Sequence, residues 1–595
     1  MRILRDIMIY VAAIAAALSM FSCQEKEADL LVENVKVSVG DRKITHRGAT
    51  VDVTFKAPLS WAVRLELKNG EGQWATLRED MNQGEASQSA RVRIVFEKNE
   101  SSEERTLDVW VTLGEQDEQL LCTLTQAVSE ESADAAISKS LNAYMHEILQ
   151  KDYLFADAYN ELEVDLTVSY KDFLSTHLLQ LGKVNEADGG YDKETGERFI
   201  YTNVAEVQYV TKAVQTAGYG FGPFISTALA EGSTDMGIAP SFVRRGSPAA
   251  AAGLQRGDII YGVNGQRLTT SNYGNFMYIL YQGGSSTYKF DYLRYEQNGS
   301  GGYTLNAYTS DAVTPDVYVY DPVLYASILG DDDNEATKIG YLVYESFDVD
   351  SQEFLKDAID QFVEAGITDM ILDLRFNAGG AVAQSRWLSG CIAGPAHDKS
   401  TFTKVIYRDG SDENWTFGHG YTADVDNLGK PVDLGLDRLY IITSYNTASA
   451  AELVINSLKG IDFPVKLIGG TTEGKNVGMT VSQYEHDGRI FHFSPVTFWV
   501  RNAKDFGDYP NGINPDEYVR ENVDNAFPYS FADWGNMDFN IALQWAYCDI
   551  TGKDRWNSLL TKSAASEQNL TPCGFQKPEL AHGRSGLLVY DGNNN

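Results

Sequence analysis

At 595 residues, 43% of them apolar and 11% aromatic, the chain is too long for one hydrophobic core and rich enough to pack three or four domains. Charged residues make up 22%, so the chain as a whole is not a disordered tail. The formal charge of −34 argues against nucleic acid as a partner and against electrostatic docking on anionic lipid.

Residues 1–23 read as an export signal. Arg2 and Arg5 form a basic start, and Ile7 to Met20 is an apolar run too short to span a bilayer comfortably. The run ends in Met20-Phe21-Ser22-Cys23, with polar Gln24-Glu25-Lys26-Glu27 after it. A small residue followed by Cys at that place resembles a bacterial lipobox, although Met20 stands where Leu is more usual. The resemblance implies lipidation of Cys23 and a mature chain anchored to a membrane of the bacterial envelope, at its periplasmic face or the cell surface. The other cysteines, Cys122, Cys391, Cys548 and Cys573, have no metal-like spacing, and the His residues form no HExxH. No metal and no other cofactor is expected. Cys122 and Cys391 lie in apolar stretches and read as buried thiols, while Cys548 and Cys573 are the candidate pair for an oxidising compartment.

Residues 24–34 are a polar tether. Over 35–128 the pattern has period two (Val51, Val53, Phe55; Val92, Ile94, Phe96; Val109, Val111), broken by turn residues, which predicts an antiparallel β-sandwich. With Trp61, Trp74 and the closing Leu124-Thr125-Gln126, this stretch loosely resembles the immunoglobulin-like modules at the N-termini of envelope lipoproteins, some of which bind glycans. A spacer is the plainer alternative. From 133 to 214 a helical segment is expected, with Tyr170, Phe173, Leu174, His177, Leu178 and Leu181 on one face and His177 as a packed residue. Its continuation from Asp188 to Gly196 is a loop.

Residues 215–312 carry Tyr219-Gly220-Phe221-Gly222, then Arg244-Arg245-Gly246-Ser247-Pro248, Arg256-Gly257-Asp258-Ile259-Ile260 and Val263-Asn264-Gly265. This ordered set resembles a PDZ domain of the bacterial protease type. A glycine-rich turn offers backbone N–H groups to a peptide carboxylate, and the strand beside it accepts the peptide by β-augmentation.

Over 320–550 strands and helices alternate. Three short apolar strands, Met370–Leu374, Leu439–Thr443 and Val465–Ile468, run into turns at 375–380, 444–449 and 469–475, which puts those turns on one rim of a sheet. Ser449 sits where a helix begins, beside unpaired N–H groups, and the turn at Gly379 and Gly380 leaves backbone donors unblocked. A serine nucleophile needs a base. No His lies in these turns, but Lys475 does, and a desolvated lysine can take the proton. Gly469 to Lys475 also fits the GxxxxGK of a phosphate-binding loop. Asn476 stands where Ser or Thr must hold the metal, and Val477 to Ser482 reads as a strand where that loop opens a helix, so the nucleotide reading is rejected.

Thr447-Ala448-Ser449-Ala450-Ala451-Glu452, the turn Asp373-Leu374-Arg375-x-Asn377-x-Gly379-Gly380 and Gly474-Lys475 resemble the carboxyl-terminal processing (tail-specific) serine peptidases, relatives of the tricorn core. The resemblance covers about 215 to 520. It implies a ββα-spiral (ClpP/crotonase-like) core and an acyl-enzyme mechanism with Ser449 as nucleophile and Lys475 as base. It also implies oxyanion N–H groups from Ala450 and one of Gly379 or Gly380, and a PDZ domain that presents unfolded or C-terminal peptide tails. Many of these enzymes carry Gln four residues after the Lys, where this chain has Met479. Asn476 or a backbone carbonyl is then expected to orient the amine. Glu452 is expected to brace the helix start, Asp331 to Glu335 to link PDZ and core, and Asp505 to Asp516 to edge the cleft. Trp534, Trp545 and Trp556 accompany a helix over about 538–546 that packs back on the core, and 551–595 is a C-terminal extension. The whole is expected to be a multidomain α/β serine endopeptidase. A catalytically weak or inactive peptide-binding lipoprotein is the alternative.

Overall fold

A computed structural model describes residues 32–552 apart from 47, 79–80, 192–195, 208–214, 231, 283–285, 298–302, 332–333, 419–427, 520–530 and 532–535, together with 571–572 and 588–590. The expected signal peptide, Cys23, most of the tether, Cys573, Trp534 and Trp556 lie outside the described residues. Those described fall into two compact units, one within Met1–Asn142 and Leu166–Tyr170, the other within Ala143–Asp165 and Lys171–Asn595.

In the first unit the period-two alternation makes two sheets. One orders Glu33–Val37, Ala49–Ala57, Ser87–Phe96 and Ala75–Leu77. The other orders Lys43–Ile44, Gln119–Gln126, Arg105–Leu113, Trp61–Leu67 and Gln83–Gly84. Alternate side chains of both, among them Val51, Phe55, Ile94, Val109 and Leu124, share one core with Trp61 and Trp74. Gln126 is buried, its amide donating to Glu97 O at 2.7 Å, so the closing Leu-Thr-Gln is a staple of this core.

In the second unit the expected helical segment is helical only in part. Helix Tyr170–Leu178 ends it, and His177 is a packed residue, its Nε2 accepting the Asp165 N–H at 3.0 Å. Asn203–Val207 is a strand instead, antiparallel to Arg489–Ser494 in the peptidase region. Its partner lies far along the chain, where no local pattern points to it. The PDZ-like sheet orders Tyr303–Thr309, Phe290–Gln297, Ile259–Val263, Met236–Pro240, Phe224–Ala228 and the short strand Thr571–Pro572. Pairing of Gln215–Gly218 with Asp316–Val319 extends this region past residue 312. Arg244 fastens the module to the peptidase region, pairing with Glu345 while lying 5.2 Å from the Phe242 ring centroid.

The core begins with β1 (Val323–Asp331) and β2 (Asn334–Tyr344), an antiparallel hairpin. Asp331 and Asn334 pair across it, so these two residues belong to the hairpin and not to an interdomain linker. Next along the chain come α1 (Gln352–Ala365), β3 (Asp369–Asp373), α2 (Val382–Ala393), β4 (Arg438–Thr443), α3 (Ala450–Gly460) and β5 (Val465–Gly469). The order β2-β3-β4-β5 is parallel throughout. Every residue of β3 is buried because the sheet is covered on both faces. Met370 and Leu372 meet α1, α2 and α3 on one side, while Ile371 meets Phe539 and Ala542 of α4 (Met537–Thr551) on the other. A second, antiparallel sheet orders Asn203–Val207, Arg489–Ser494, Val477–His486, Val496–Arg501, Thr401–Tyr407 and Asp412–Thr416. The short strand Leu588–Tyr590 runs parallel to Val477–His486. Cys122 and Cys391 are buried free thiols, as their apolar surroundings predict, and Cys548 is free and half-buried.

Candidate active site

The C-terminal ends of β3, β4 and β5 deliver three turns to one place, and hydrogen bonds join them. Arg375, buried after β3, donates to Asp373 at 2.6 Å and to Asp538 at 2.8 Å, which fixes the path of the chain behind it. Ser444 Oγ donates to Arg375 O at 2.6 Å, Thr447 Oγ1 to Leu374 O at 2.8 Å, and the Ala448 N–H to Asn377 O at 3.0 Å. The turn after β4 is thereby laid on the turn after β3.

Ser449 comes next, with φ 58° and ψ −116°, a sparsely populated backbone state for a residue with a Cβ. Such states cost about 1–3 kcal/mol and persist only where the surroundings impose them. The residue is 1% exposed, and its Oγ has no hydrogen-bond partner among the described residues. Ala450 opens α3, so its N–H has no acceptor within the helix.

Glu452 joins the nucleophile turn to the lysine turn. Its Oε2 accepts the N–H of Ser449 at 2.8 Å and that of Lys475 at 2.9 Å. Its Oε1 accepts Thr472 Oγ1 at 2.6 Å and the Gly474 N–H at 2.7 Å. Burial pushes its pKa up to about 7, against four donors that each favour the carboxylate. Bracing the helix start is thus one part of its role, since it also carries the backbone of Lys475.

Lys475 is buried. Its Nζ lies 3.3 Å from Met479 Sδ and 4.4 Å from the centroid of the Tyr201 ring. The amine is therefore oriented by a thioether and an aromatic face, and not by Asn476, whose amide donates to Gly507 O at 2.6 Å. The loop 505–516 braces the lysine turn. Besides Gly507, the Ile513 N–H reaches Thr472 Oγ1 at 2.7 Å.

The glycine turn lies against the serine. A Cβ on Gly379 would stand 2.8 Å from Ser449 Cβ and 3.1 Å from Ala450 N, so only glycine allows this approach. The Gly379 N–H is engaged by Asn377 Oδ1 at 2.9 Å. Phe347 donates to Gly379 O and accepts from the Ala381 N–H, which turns the Gly380 N–H to the opposite side. Of the two glycines, Gly379 has its N–H taken by the Asn377 side chain, which leaves Gly380 as the candidate donor.

In the PDZ loop, Tyr219 and Phe221 point into the module's core, and the Gly222 N–H donates to Phe242 O at 2.9 Å. Gly220 approaches Ser247 so closely that a Cβ would meet its side chain at 2.0 Å. The rings hold the loop in place, and its exposed functions are backbone.

Two family profiles match this architecture. One, described as peptidase family S41, covers residues 338–519, and the other, a PDZ domain, covers residues 242–287. Residues 338–519 carry a peptidase family S41 domain. Carboxy-terminal processing protease CtpA of Bacillus subtilis is 28% identical over 354 residues, spanning 58% of this chain and 67% of that protein. The chloroplastic carboxyl-terminal-processing peptidase 3 of Arabidopsis thaliana is 24% identical over 350 residues, 56% and 62% of the two chains. A probable CtpA-like serine protease of Staphylococcus aureus is 23% identical over 272 residues and is spanned over 48% of its length. The chain thus spans about half to two thirds of these curated relatives. The structure of a putative S41 protease from Bacteroides fragilis shares the fold with a TM-score of 0.53 at 24% identity, over 69% of this chain and 97% of that one. The S41 match marks residues 338–519 as a serine-type peptidase domain, and the PDZ match at 242–287 supports binding of peptide tails.

The family motifs miss two residues at the lysine. Tyr201 lies under the amine, and Asp188 is the fully buried acidic side chain that holds the Tyr201 backbone. Asp188 sits in a Gly-rich loop with the local pattern of any turn, so no signal in its neighbourhood marks it.

Proposed function

We propose that this S41 chain cleaves peptide bonds through an acyl-enzyme on Ser449, with Lys475 as base, after its PDZ domain captures an unfolded or C-terminal tail. The observation that supports this most is the shared Glu452 oxygen, which holds the amides of Ser449 and Lys475 side by side. In the mechanism, neutral Lys475 takes the Ser449 proton as Oγ attacks the carbonyl carbon. The Ala450 and Gly380 N–H groups then receive the oxyanion, for which preorganised donors are worth about 3–4 kcal/mol each. The lysine ammonium protonates the leaving amine, and the same amine activates the water that releases the acyl group. The Lys475 amine must first turn from Met479 Sδ toward Ser449 Oγ.

That required turn favours a second reading, a chain that binds tails and cleaves them slowly or not at all. The ββα-spiral core and an immunoglobulin-like, spacer-type N-terminal sandwich, open to glycan contact, belong to this same proposal. So does anchoring at the bacterial envelope through Cys23, which rests on the lipobox-like sequence alone. Purified wild type, Ser449→Ala and Lys475→Ala chains are to be compared on casein. Cleavage by the wild type alone supports the dyad. Equal cleavage by all three refutes it, and cleavage by none supports the binding reading.

A further inference from the structure

Lys475 poses a physical problem that the dyad leaves open. A base that shuttles a proton must be held in direction and must find its charged form tolerable after it takes the proton. In this chain its Nζ lies 3.3 Å from a thioether sulfur, a weak acceptor that does neither well.

Behind the amine lies a set of groups that does both. The Tyr201 ring presents its face to Nζ at 4.4 Å, a cation–π arrangement that stabilises the ammonium. The ring is tied at both ends. Its hydroxyl donates to Glu473 Oε1 at 3.4 Å, and its own backbone N–H donates to Asp188 Oδ1 at 3.1 Å. Asp188 Oδ1 also accepts the Thr202 N–H at 2.8 Å, and Oδ2 accepts the hydroxyl of buried Tyr153 at 2.7 Å. Thr202 Oγ1 in turn accepts the Val496 N–H at 3.0 Å, which anchors the arrangement to the antiparallel sheet.

We propose that Asp188 is a positioning residue for Lys475, holding the Tyr201 ring beneath the amine and supplying a buried negative charge that the ammonium works against. This rests on the reading of Lys475 as the base. Satisfying two amides and a hydroxyl does not itself require a charge, because an amide oxygen accepts equally. A charge at this depth needs a cation to offset it. Burial drives the Asp188 carboxyl upward; hydrogen bonds from Thr202 and Tyr153 draw it back, and the charge of Lys475 adds the smallest of these opposing effects. The other carboxylates near the lysine are Glu452, which takes its backbone N–H, and Glu473, which reaches it through the Tyr201 hydroxyl.

The test uses the full chain in a Ser449→Ala background, with lysines labelled at Cε for NMR and the Lys475 signal assigned by its loss in Lys475→Met. Adding Asp188→Asn keeps an acceptor for both amides and removes the charge. The expected result is a tenfold or greater fall in the proton affinity of Lys475, read as a titration midpoint about one pH unit lower. Tyr201→Leu, which leaves Asp188 untouched, is expected to lower that affinity about threefold, as loss of a cation–π contact implies. An unchanged midpoint in both variants overturns the proposal, and should Asp188→Asn fail to fold, an unchanged midpoint in Tyr201→Leu does so alone. With Ser449 restored, the acid limb of kcat/KM moves to lower pH in the same order. If turnover proves independent of Ser449, the dyad falls while the NMR midpoints still decide the role of Asp188.

Discussion

Replacing Glu452 by Gln isolates one property of the residue that joins the two halves of the site, its negative charge. A glutamine has one acceptor oxygen where the carboxylate has two, so its amide nitrogen must face a pair of donors. In place of Oε2 it meets the N–H groups of Ser449 and Lys475, neither of which can turn away. In place of Oε1 it meets the Gly474 N–H and the Thr472 hydroxyl, and a hydroxyl can rotate to accept. The second orientation therefore wins, leaving the Gly474 N–H unpaired at a cost of about 1–3 kcal/mol. Against this stands relief of a buried charge. Burial raises the Glu452 pKa from 4.5 to about 7, a difference worth about 3 kcal/mol.

The sign decides the assay. Because the folded-state value lies above the unfolded one, the stability linked to this group is fully present below pH 4.5 and is lost as pH rises through about 7. Glu452→Gln lacks that decline. It is expected to be less stable than wild type by about 1–3 kcal/mol at pH 4.5 and close to it above pH 7. Calorimetry of both chains between these limits, in the Ser449→Ala background, checks this through the peptidase transition. A stability gap that stays constant with pH refutes the reasoning. In the active background kcat/KM is expected to fall about ten- to hundredfold at pH 8, because the unpaired amide belongs to the residue before Lys475.

Gly379→Ala forces a Cβ to 2.8 Å from Ser449 Cβ, at φ +108°, and is expected to lower kcat/KM about a hundredfold or more while PDZ-peptide affinity, read by titration calorimetry, stays unchanged. Gly474→Ala brings a Cβ to 2.5 Å from Pro510 O and is expected to cut kcat comparably; full activity would show that the 505–516 loop does not brace the lysine turn. Met479→Gln offers the amine a stronger acceptor and is expected to raise kcat about three- to tenfold, the worth of one neutral hydrogen bond; a fall in kcat with folding intact would contradict that account. Arg375→Lys abandons either Asp373 or Asp538 and is expected to cost about 3–5 kcal/mol, seen as a lowered urea midpoint of the peptidase core.

The parts of this chain that were legible in its sequence share a local cause. β3 reads as a buried strand because Met370, Ile371 and Leu372 are apolar in succession, and a parallel sheet covered on both faces asks for that. Ser449 and Lys475 stand out because each comes after a strand of this kind in a turn rich in small residues. The hidden parts depend on partners distant in sequence. Glu452 reads as a helix brace, yet three of its four donors arrive from residues 472 to 475. Asn203–Val207 has a strand partner near residue 490, and Asp331 and Asn334, in a stretch with the charge of a linker, pair across a hairpin. Departures from a motif behave the same way. Met479 is visible as an exception, but nothing local to it indicates that its sulfur touches the amine.

These contacts divide the site into a finished part and a movable one. The backbones of Ser449 and Lys475 share one carboxylate oxygen, the serine is held in a strained conformation by α3, and the glycine turn is pressed against it. None of that needs to rearrange for chemistry. The serine hydroxyl, by contrast, has no hydrogen-bond partner among the described residues, and the lysine amine rests on sulfur. Moving the amine to the hydroxyl exchanges one weak contact for a stronger one and involves a flexible side chain alone. The Tyr201 face, whose backbone N–H Asp188 accepts, lies behind the amine, and in the proposal above the two set how far that equilibrium lies toward the resting position. A tail that fills the cleft and excludes water strengthens the amine–hydroxyl bond relative to the amine–sulfur contact. Under the proposed dyad the control point of this site is the rotamer of one lysine, within a backbone frame that the fold has already fixed.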